Sequence, residues 1–447
     1  MAATSLTKEF LAFANFKGLR GHGFFRNVLV VMSGTGLAQV VSFMFSPVLS
    51  RLYGPVDFGC FGSFSSVAAV LGAVVTLQYS EALMLPGSND EAAKLFFASC
   101  LSAVFITAAF TALCALSPGF WLGLMKTPEL KGWLLLIPFA ALVAGLNQTL
   151  TSWCARRKAF KRTASVLVVR SIAAGCGQTG AGLAHSGGGG LIGANLAADI
   201  LASVTLGRWV LLGDWGLLRK AFRSAEIKSV AREYKDFPLY STPQSFFNAV
   251  SLGAPVILLI HYYGMAIGGI YAFSVRVLQV PTSFVLTSLR QVLFQKLSEV
   301  HNSGGDLARF FTKCIGALFA VAILPAIIGC IFAPHVFAFV FGAKWFTAGE
   351  YTRWLIVWFL PGFCNLPAIL LGRILRRQRT LLLFDLALLI CRLAVLVLGG
   401  MYLSAMHTIA AFSVVGAMFN TFPILYVWRV LKINKFSPQS CAPGVLS

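Results

Sequence analysis

Residues 46–86 read SPVLSRLYGPVDFGCFGSFSSVAAVLGAVVTLQYSEALMLP, and they decide the fold. An apolar segment ends at Leu49 and meets the polar turn Arg51-Leu52-Tyr53-Gly54-Pro55-Val56-Asp57-Phe58-Gly59, after which a second apolar segment starts almost at once. Gly54-Pro55 cannot continue a helix cleanly, and Asp57 suits the cap of the next one. Two apolar helices joined by so short a turn form a transmembrane hairpin with almost nothing outside the bilayer. Gln78-Tyr79-Ser80-Glu81 then carries polar groups into the end of the second helix, just before Pro86-Gly87.

Composition points the same way. The 447 residues are 57% hydrophobic and 11% charged, with a mean hydropathy of +0.79, which excludes an ordinary soluble domain. A formal charge of +21 would suggest nucleic acid in a soluble protein. Here the basic residues fall in loops between apolar spans, the positive-inside pattern, and no nucleic-acid partner is expected. Ten cysteines without a CxxC pair read as small buried hydrophobes, not as a zinc site or disulfide framework. Lys8, Lys17, Arg20 and Arg26 precede an apolar run too long for a signal-peptide core, as suits a retained first span.

Hydropathy predicts twelve spans of about 20 residues. They fall at 27–50, 58–83, 95–117, 132–154, 163–184 and 189–213, then at 238–262, 266–289, 310–334, 350–372, 380–402 and 407–429. One set of loops is basic: the N-terminal tail, 156–162, 214–237, 290–309, 373–379 and 429–435. The other set is nearly uncharged at 185–190, 262–268 and 404–407, so both termini are expected in the cytoplasm. The longest loop, 214–237, is amphipathic and basic; it is either a short interfacial helix or a solvated linker. It separates a first lobe at 27–213 from a second at 238–430, with tails at 1–26 and 431–447.

The second half repeats features of the first. Tyr53-Gly54, Gly59 and Phe61 have counterparts 210 residues later in Tyr263-Gly264, Gly269 and Tyr271. The basic end Arg156-Arg157 to Arg162-Thr163 recurs as Arg376-Arg377 to Arg379-Thr380. Six spans per half give both halves one orientation, so the repeats are parallel and related by an axis along the membrane normal.

The stretch SPVLSRLYGPVDFGCFGSF followed by LQYSEALMLPGSNDEAAKL resembles the first two spans of bacterial lipopolysaccharide and O-antigen flippases. These polysaccharide transporters belong to the superfamily that also contains the multidrug and toxin extrusion transporters. The shared pattern is an arginine-leucine-tyrosine turn, a proline, an acidic residue, Phe-Gly, and a later Tyr-Glu step before Leu-Pro; here Ser80 separates Tyr79 from Glu81. The resemblance implies an all-α integral membrane fold of two six-helix lobes around a central cavity that opens alternately to each side. It implies export of a polyprenyl-pyrophosphate-linked oligosaccharide from the cytoplasmic to the periplasmic leaflet of the inner membrane, for O-antigen, exopolysaccharide or capsule assembly. A polysaccharide polymerase and a chain-length regulator are then possible partners beside the membrane lipids.

Physics singles out residues for such a task. An arginine at mid-bilayer costs about 2.5–3.5 kcal/mol on insertion scales, so it is rarely left there idly. Arg170, Arg276 and Arg392 each sit well inside a span, and guanidinium suits phosphate oxygens through paired hydrogen bonds. Each could instead pair with a carboxylate to lock helices; Asp385 lies seven residues before Arg392, and Asp199 is the other deep acid. Asp199, Asp385 and Glu81 are alternatively protonatable or sodium-binding coupling sites. Uncharged polar residues in the spans, among them Gln39, Asn147, Asn248 and Gln279, could meet glycan hydroxyls or bond helix to helix. Arg51, Tyr53, Gly54, Pro55, Asp57 and Gly59 form the structural hairpin.

Other chemistry has little support. No Walker motif is present, the six histidines show no metal-ligand spacing, and no cofactor is expected. The run Gly187–Gly190 reads as a tight turn on the uncharged side. The reading that remains is a flippase for a lipid-linked saccharide, not an enzyme. The alternative is a proton- or sodium-coupled drug exporter on the same fold. A membrane scaffold is disfavoured by the buried charge.

Overall fold

The computed structural model describes residues 22–125, 128–222, 226–303, 305–375 and 377–435. Lys8, Lys17, Arg20, Arg223 and Arg376 of the basic segments lie outside them. The described residues form α1 (His22–Leu52), α2 (Pro55–Val75), α3 (Tyr79–Ala82), α4 (Asn89–Leu116), α5 (Pro118–Met125), α6 (Leu136–Arg156), α7 (Phe160–Leu183) and α8 (Gly187–Phe222). They continue with α9 (Ile227–Glu233), α10 (Thr242–Tyr263), α11 (Met265–Asn302), α12 (Leu307–Phe341), α13 (Phe346–Cys364), α14 (Leu366–Ile374), α15 (Gln378–Tyr402) and α16 (Ala405–Lys435).

Twelve of these helices have 19 residues or more, and they match the twelve expected spans in order. Among the described residues, eight spans are long and apolar enough to cross a membrane by length and composition alone. The other four long helices, α1, α6, α7 and α11, carry Gln39, Asn147, Arg170 and Arg276. Helices that tolerate such residues in a bilayer turn them away from lipid, toward a bundle interior or a cavity.

The hairpin closes as its residues dictate. Tyr53 N–H bonds to Leu49 O at 2.9 Å, Gly54 is extended, and Pro55 opens α2, where its missing N–H costs nothing. Asp57 Oδ2 accepts from Gly54 N at 2.8 Å and completes the N-terminal cap. The far end of α2 differs from the expected limit of 83. The helix stops at Val75 because Leu77 and Gln78 take left-handed φ values of 48° and 56°. The Gln78 amide folds back onto Ala73 O at 2.7 Å, and α3 restarts as a separate turn of helix.

The stretch after the sixth span is helical and docked. Helix α8 runs on to Phe222 through a kink at Asp214, and α9 lies against α4. Tyr234 Oη donates to Glu91 Oε1 at 3.0 Å, Tyr79 Oη to Ala231 O at 3.1 Å, and Lys94 pairs with Glu226. The tenth span breaks at Asn365 into α13 and α14. The glycine run also does more than turn. His185 (φ 55°) and Gly187 (φ 57°) make the reversal, whereas Gly188–Gly190 belong to the first turn of α8 and touch its neighbours. A Cβ on Gly189 would sit 2.2 Å from the Trp133 ring.

The two halves meet through their hairpins. A Cβ on Gly59 would lie 2.2 Å from Met265 O, and one on Gly269 would lie 1.8 Å from Pro55 O. Both Gly59/Gly269 and Pro55/Met265 are separated by 210 residues, so these are one contact made twice across a pseudo-twofold axis. The matching tyrosines also act alike. Tyr53 Oη donates to Gln178 O on α7 at 2.7 Å, and Tyr263 Oη to Gly399 O on α15 at 2.8 Å, the fifth long helix of each half.

Candidate functional site

A cavity of about 240 Å³ lies inside the bundle, bounded by α1, α2, α7, α8 and α11. Its wall includes Ser42, Phe45, Phe61, Arg170, Gln178, Asn195 and Arg276. Tight packing of α1 on α7 positions the arginine-bearing face. Gly175 sits under the Phe45 ring, where a Cβ would come within 2.2 Å, and Gly34 admits Ala164 in the same way. Arg276 arrives from the other half on α11.

The two cavity arginines differ in their partners. Arg170 Nε bonds to Asp199 Oδ1, and its Nη2 lies 3.4 Å from Asn195 Oδ1. Asn195 Nδ2 donates to Asp199 Oδ2 at 3.0 Å, and Asn147 Nδ2 donates to Asp199 O at 3.2 Å. Asp199 is thus the counter-ion of Arg170 within a polar cluster of α6, α7 and α8. Arg276 makes no ion pair or hydrogen bond with a described residue. The cavity therefore carries one balanced charge pair and one unbalanced cation.

The third arginine is elsewhere. Arg392 is 5% exposed on α15 and is absent from the cavity wall. Its guanidinium lies over the Trp358 ring at 4.4 Å from the centroid and 5.1 Å from that of Phe412, a cation–π arrangement. It forms no salt bridge with Asp385, which is exposed on the same helix. Gln39 Oε1 accepts from Ser283 Oγ at 2.9 Å and ties α1 to α11. Asn248 and Gln279 are exposed, and Glu81 is exposed on α3 outside the cavity wall. Among the described residues no group of histidines, cysteines and acids could hold a metal ion.

A second feature was not foreseen from sequence. The turn between α12 and α13 docks on the end of α1 at the uncharged side of the bundle. Lys344 Nζ donates to Tyr53 O at 2.7 Å and to Arg51 O at 3.2 Å. Trp345 Nε1 donates to Ser50 O at 2.9 Å, and Ser50 Oγ donates to Phe341 O at 3.0 Å. Trp345 is fully buried against Phe58 and Phe273, with ring centroids 5.2 and 4.1 Å away. Among the described residues, the other side-chain hydrogen bond between the halves is Gln39–Ser283. The uncharged end is therefore where most of the side-chain hydrogen bonds between the halves gather, a bolt between them. In sequence, Phe341-Gly342-Ala343-Lys344-Trp345 signals a turn, made at Gly342 with φ 105°, but not what the turn docks on.

Solved structures share this architecture. The lipid II flippase MurJ in its inward closed conformation matches with a TM-score of 0.72 at 12% identity, covering 91% of each chain. An inward-facing multidrug resistance MATE family transporter of the MOP superfamily matches with a TM-score of 0.62 at 12% identity, covering 96% of this chain and 98% of that one. The outward-facing form of a MATE family transporter of the MOP superfamily gives 0.56 at 12% identity, covering 93% and 96%. No curated protein sequence matches the chain. At such identities the likeness establishes the fold: two six-helix halves around a central cavity. The family model for polysaccharide biosynthesis protein matches residues 48–349, from the hairpin through the interlocked glycines and the bolted turn, and the chain belongs to that family.

Proposed function

We propose that the protein flips a polyprenyl-pyrophosphate-linked oligosaccharide across the bacterial inner membrane by alternating access, supplying O-antigen, exopolysaccharide or capsule assembly. The observation that carries this reading is Arg276, an unpaired cation in a cavity deep in an apolar bundle. An isolated charge there is costly unless a ligand of opposite sign completes it. Pyrophosphate fits, because guanidinium forks match phosphate oxygens. Arg170, already held by Asp199 and Asn195, is a second donor at the same wall. A cationic drug finds no free acid there, since Asp199 is engaged.

In this reading residues 27–213 and 238–430 are the two moving lobes. The basic loops and both termini face the cytoplasm, and the Lys344–Trp345 contact closes the periplasmic end. Gln39 lies where it would pass the head group; Asn248, Gln279 and Arg392 would be met only after rearrangement. Proton or sodium coupling through Asp199 or Asp385, and association with a polymerase and a chain-length regulator, extend the same proposal.

The test is flipping of a fluorescent polyprenyl-pyrophosphate saccharide in vesicles containing the purified protein. Arg276→Ala is expected to nearly abolish flipping at unchanged protein abundance, and Arg276→Lys to retain part of it. Full flipping by Arg276→Ala overturns the proposal. Saturable export of an organic cation by that variant would favour the drug-exporter reading instead.

A further inference from the structure

A separate cavity of about 500 Å³ opens at the basic end of the first half, among α6, α7 and α8. Its wall holds Arg157, Lys158, Lys161 and Arg162 against one acid, Asp214. That acid is already spoken for. Arg157 Nε and Nη2 both bond to its carboxylate, and Trp153 Nε1 donates to it at 2.9 Å. Lys158, Lys161 and Arg162 form no salt bridge with a described residue.

The site is built, not a random patch of surface charge. Lys158 is set by a left-handed backbone, φ 55°, in the short turn between α6 and α7. Arg162 is stacked over the Trp209 ring. The first turn of α7 forms part of the wall, and its N-cap residue, Ala159, provides no capping side chain. Uncapped N–H groups at the start of a 24-residue helix add to the positive potential. Asp214 sits at the kink in α8, one residue past the end of the span expected at 189–213, so the cavity lies at the basic edge of that span. Trp209, half-buried at the wall, is a residue of the kind that settles at a membrane–water interface.

We infer that this cavity binds the phosphate group of an anionic lipid on the basic side of the membrane. Three unpaired cations and a helix start converge on a space large enough for a head group, with tryptophan faces beside it. Basic pockets between transmembrane helices on the cytoplasmic side are suited to anionic head groups. The inference does not depend on transport or on Arg276. The same chemistry fits two lipids, a resident phospholipid and the pyrophosphate end of a polyprenyl carrier, and the experiment separates them.

The full chain is purified and examined by native mass spectrometry with added phosphatidylglycerol, phosphatidylcholine or farnesyl pyrophosphate. The wild type is expected to retain phosphatidylglycerol over phosphatidylcholine. Lys158→Gln with Lys161→Gln is expected to weaken that retention roughly 25-fold, about fivefold for each cation removed at a membrane surface. Lys158→Arg with Lys161→Arg should keep it, which separates charge from folding. Displacement of phosphatidylglycerol by farnesyl pyrophosphate supports the site and assigns it to the carrier; failure to displace supports it and assigns it to phospholipid. Equal retention of the two phospholipids, or equal retention of phosphatidylglycerol by wild type and a folded Gln variant, overturns the inference.

Discussion

The interlocked hairpins make a quantitative demand. Replacing Gly59 by Ala places a Cβ 2.2 Å from Met265 O, against 3.4–4 Å for ordinary contact, so the α2–α11 seam must open. Gly269→Ala meets Pro55 O at 1.8 Å and needs a wider opening still. The obstacle in each case is backbone, which cannot swing aside as a side chain would. Alanine recovers about 1 kcal/mol of helix propensity, whereas overpacking of this kind costs about 1–3 kcal/mol or more. Each single variant should therefore lose up to about 2 kcal/mol, the net of those two terms, and more where the seam cannot open. Because the contacts are symmetry mates, one opening of the seam relieves both, and the double variant should lose little more than the worse single one. Gly180→Ala and Gly193→Ala are the controls, since nothing lies within 4 Å of a Cβ at either place. Thermal unfolding of the purified protein, followed by fluorescence-detected gel filtration, ranks the five variants. Gly59→Ala melting with the controls, or a double variant that loses the full sum, would refute the interlock.

Three further outcomes are expected. Arg170→Ala leaves Asp199 with only Asn195 as partner and should lower protein abundance in the membrane, a loss of about 1–3 kcal/mol for a half-buried pair, while Arg170→Ala with Asp199→Ala should restore abundance; quantitative immunoblotting of membranes checks it, and a stable single variant would contradict the pair. Trp345→Ala should cost about 3–5 kcal/mol at a fully buried site and loosen the bolted end; Ser42→Cys in the cavity should then react faster with a membrane-impermeant maleimide added from outside, and an unchanged rate would show that the turn seals nothing. In a cysteine-free background, Ser186→Cys, at an exposed turn, should be labelled from outside intact cells and Lys161→Cys only after permeabilisation; the reverse pattern would invert the proposed orientation.

The frame of the molecule was legible because hydropathy and turn chemistry are local. Gly54-Pro55 and Asp57 announce the hairpin, and twelve apolar stretches announce the long helices. The end of α2 was not legible, since Leu77 and Gln78 are not residues that advertise a left-handed turn. At the site, spacing along one helix misled. Seven residues put Asp385 on the face of Arg392 but about 10 Å away along the axis, at about 1.5 Å per residue, beyond ion-pair reach. The pair that does form joins adjacent antiparallel helices at equal depth. Arg170 stands almost as far back from Leu183, the end of α7, as Asp199 stands forward from Gly187, the start of α8. Counting outward from the turn at His185 would have found it. The docking of Lys344 and Trp345 on α1 joins residues far apart in the chain, a contact about which the local sequence is silent.

The same count, applied to the second half, shows where the two halves part in chemistry. Arg392 stands 10 residues back from Tyr402, the end of α15, and the residue that packs against it lies one position past the matching depth, Gly416, 11 residues beyond Ala405, the start of α16. A Cβ there would approach Arg392 Nη2 within 3.1 Å. Where the first half sets a carboxylate against its arginine, the second half sets the absence of a side chain, and the guanidinium settles on the faces of Trp358 and Phe412 instead. An aromatic face holds a cation without neutralising it, so Arg392 keeps its charge in a dry place. The polar cavity accordingly belongs to the first half, with Arg276 reaching across the seam to join it. The three buried arginines thus differ in state: Arg276 lacks an ion-pair partner among the described residues, Arg170 is paired with Asp199, and Arg392 rests on aromatic rings. Symmetry sets the common frame of the two halves, and its breaking at these positions distributes the buried cations unequally between them.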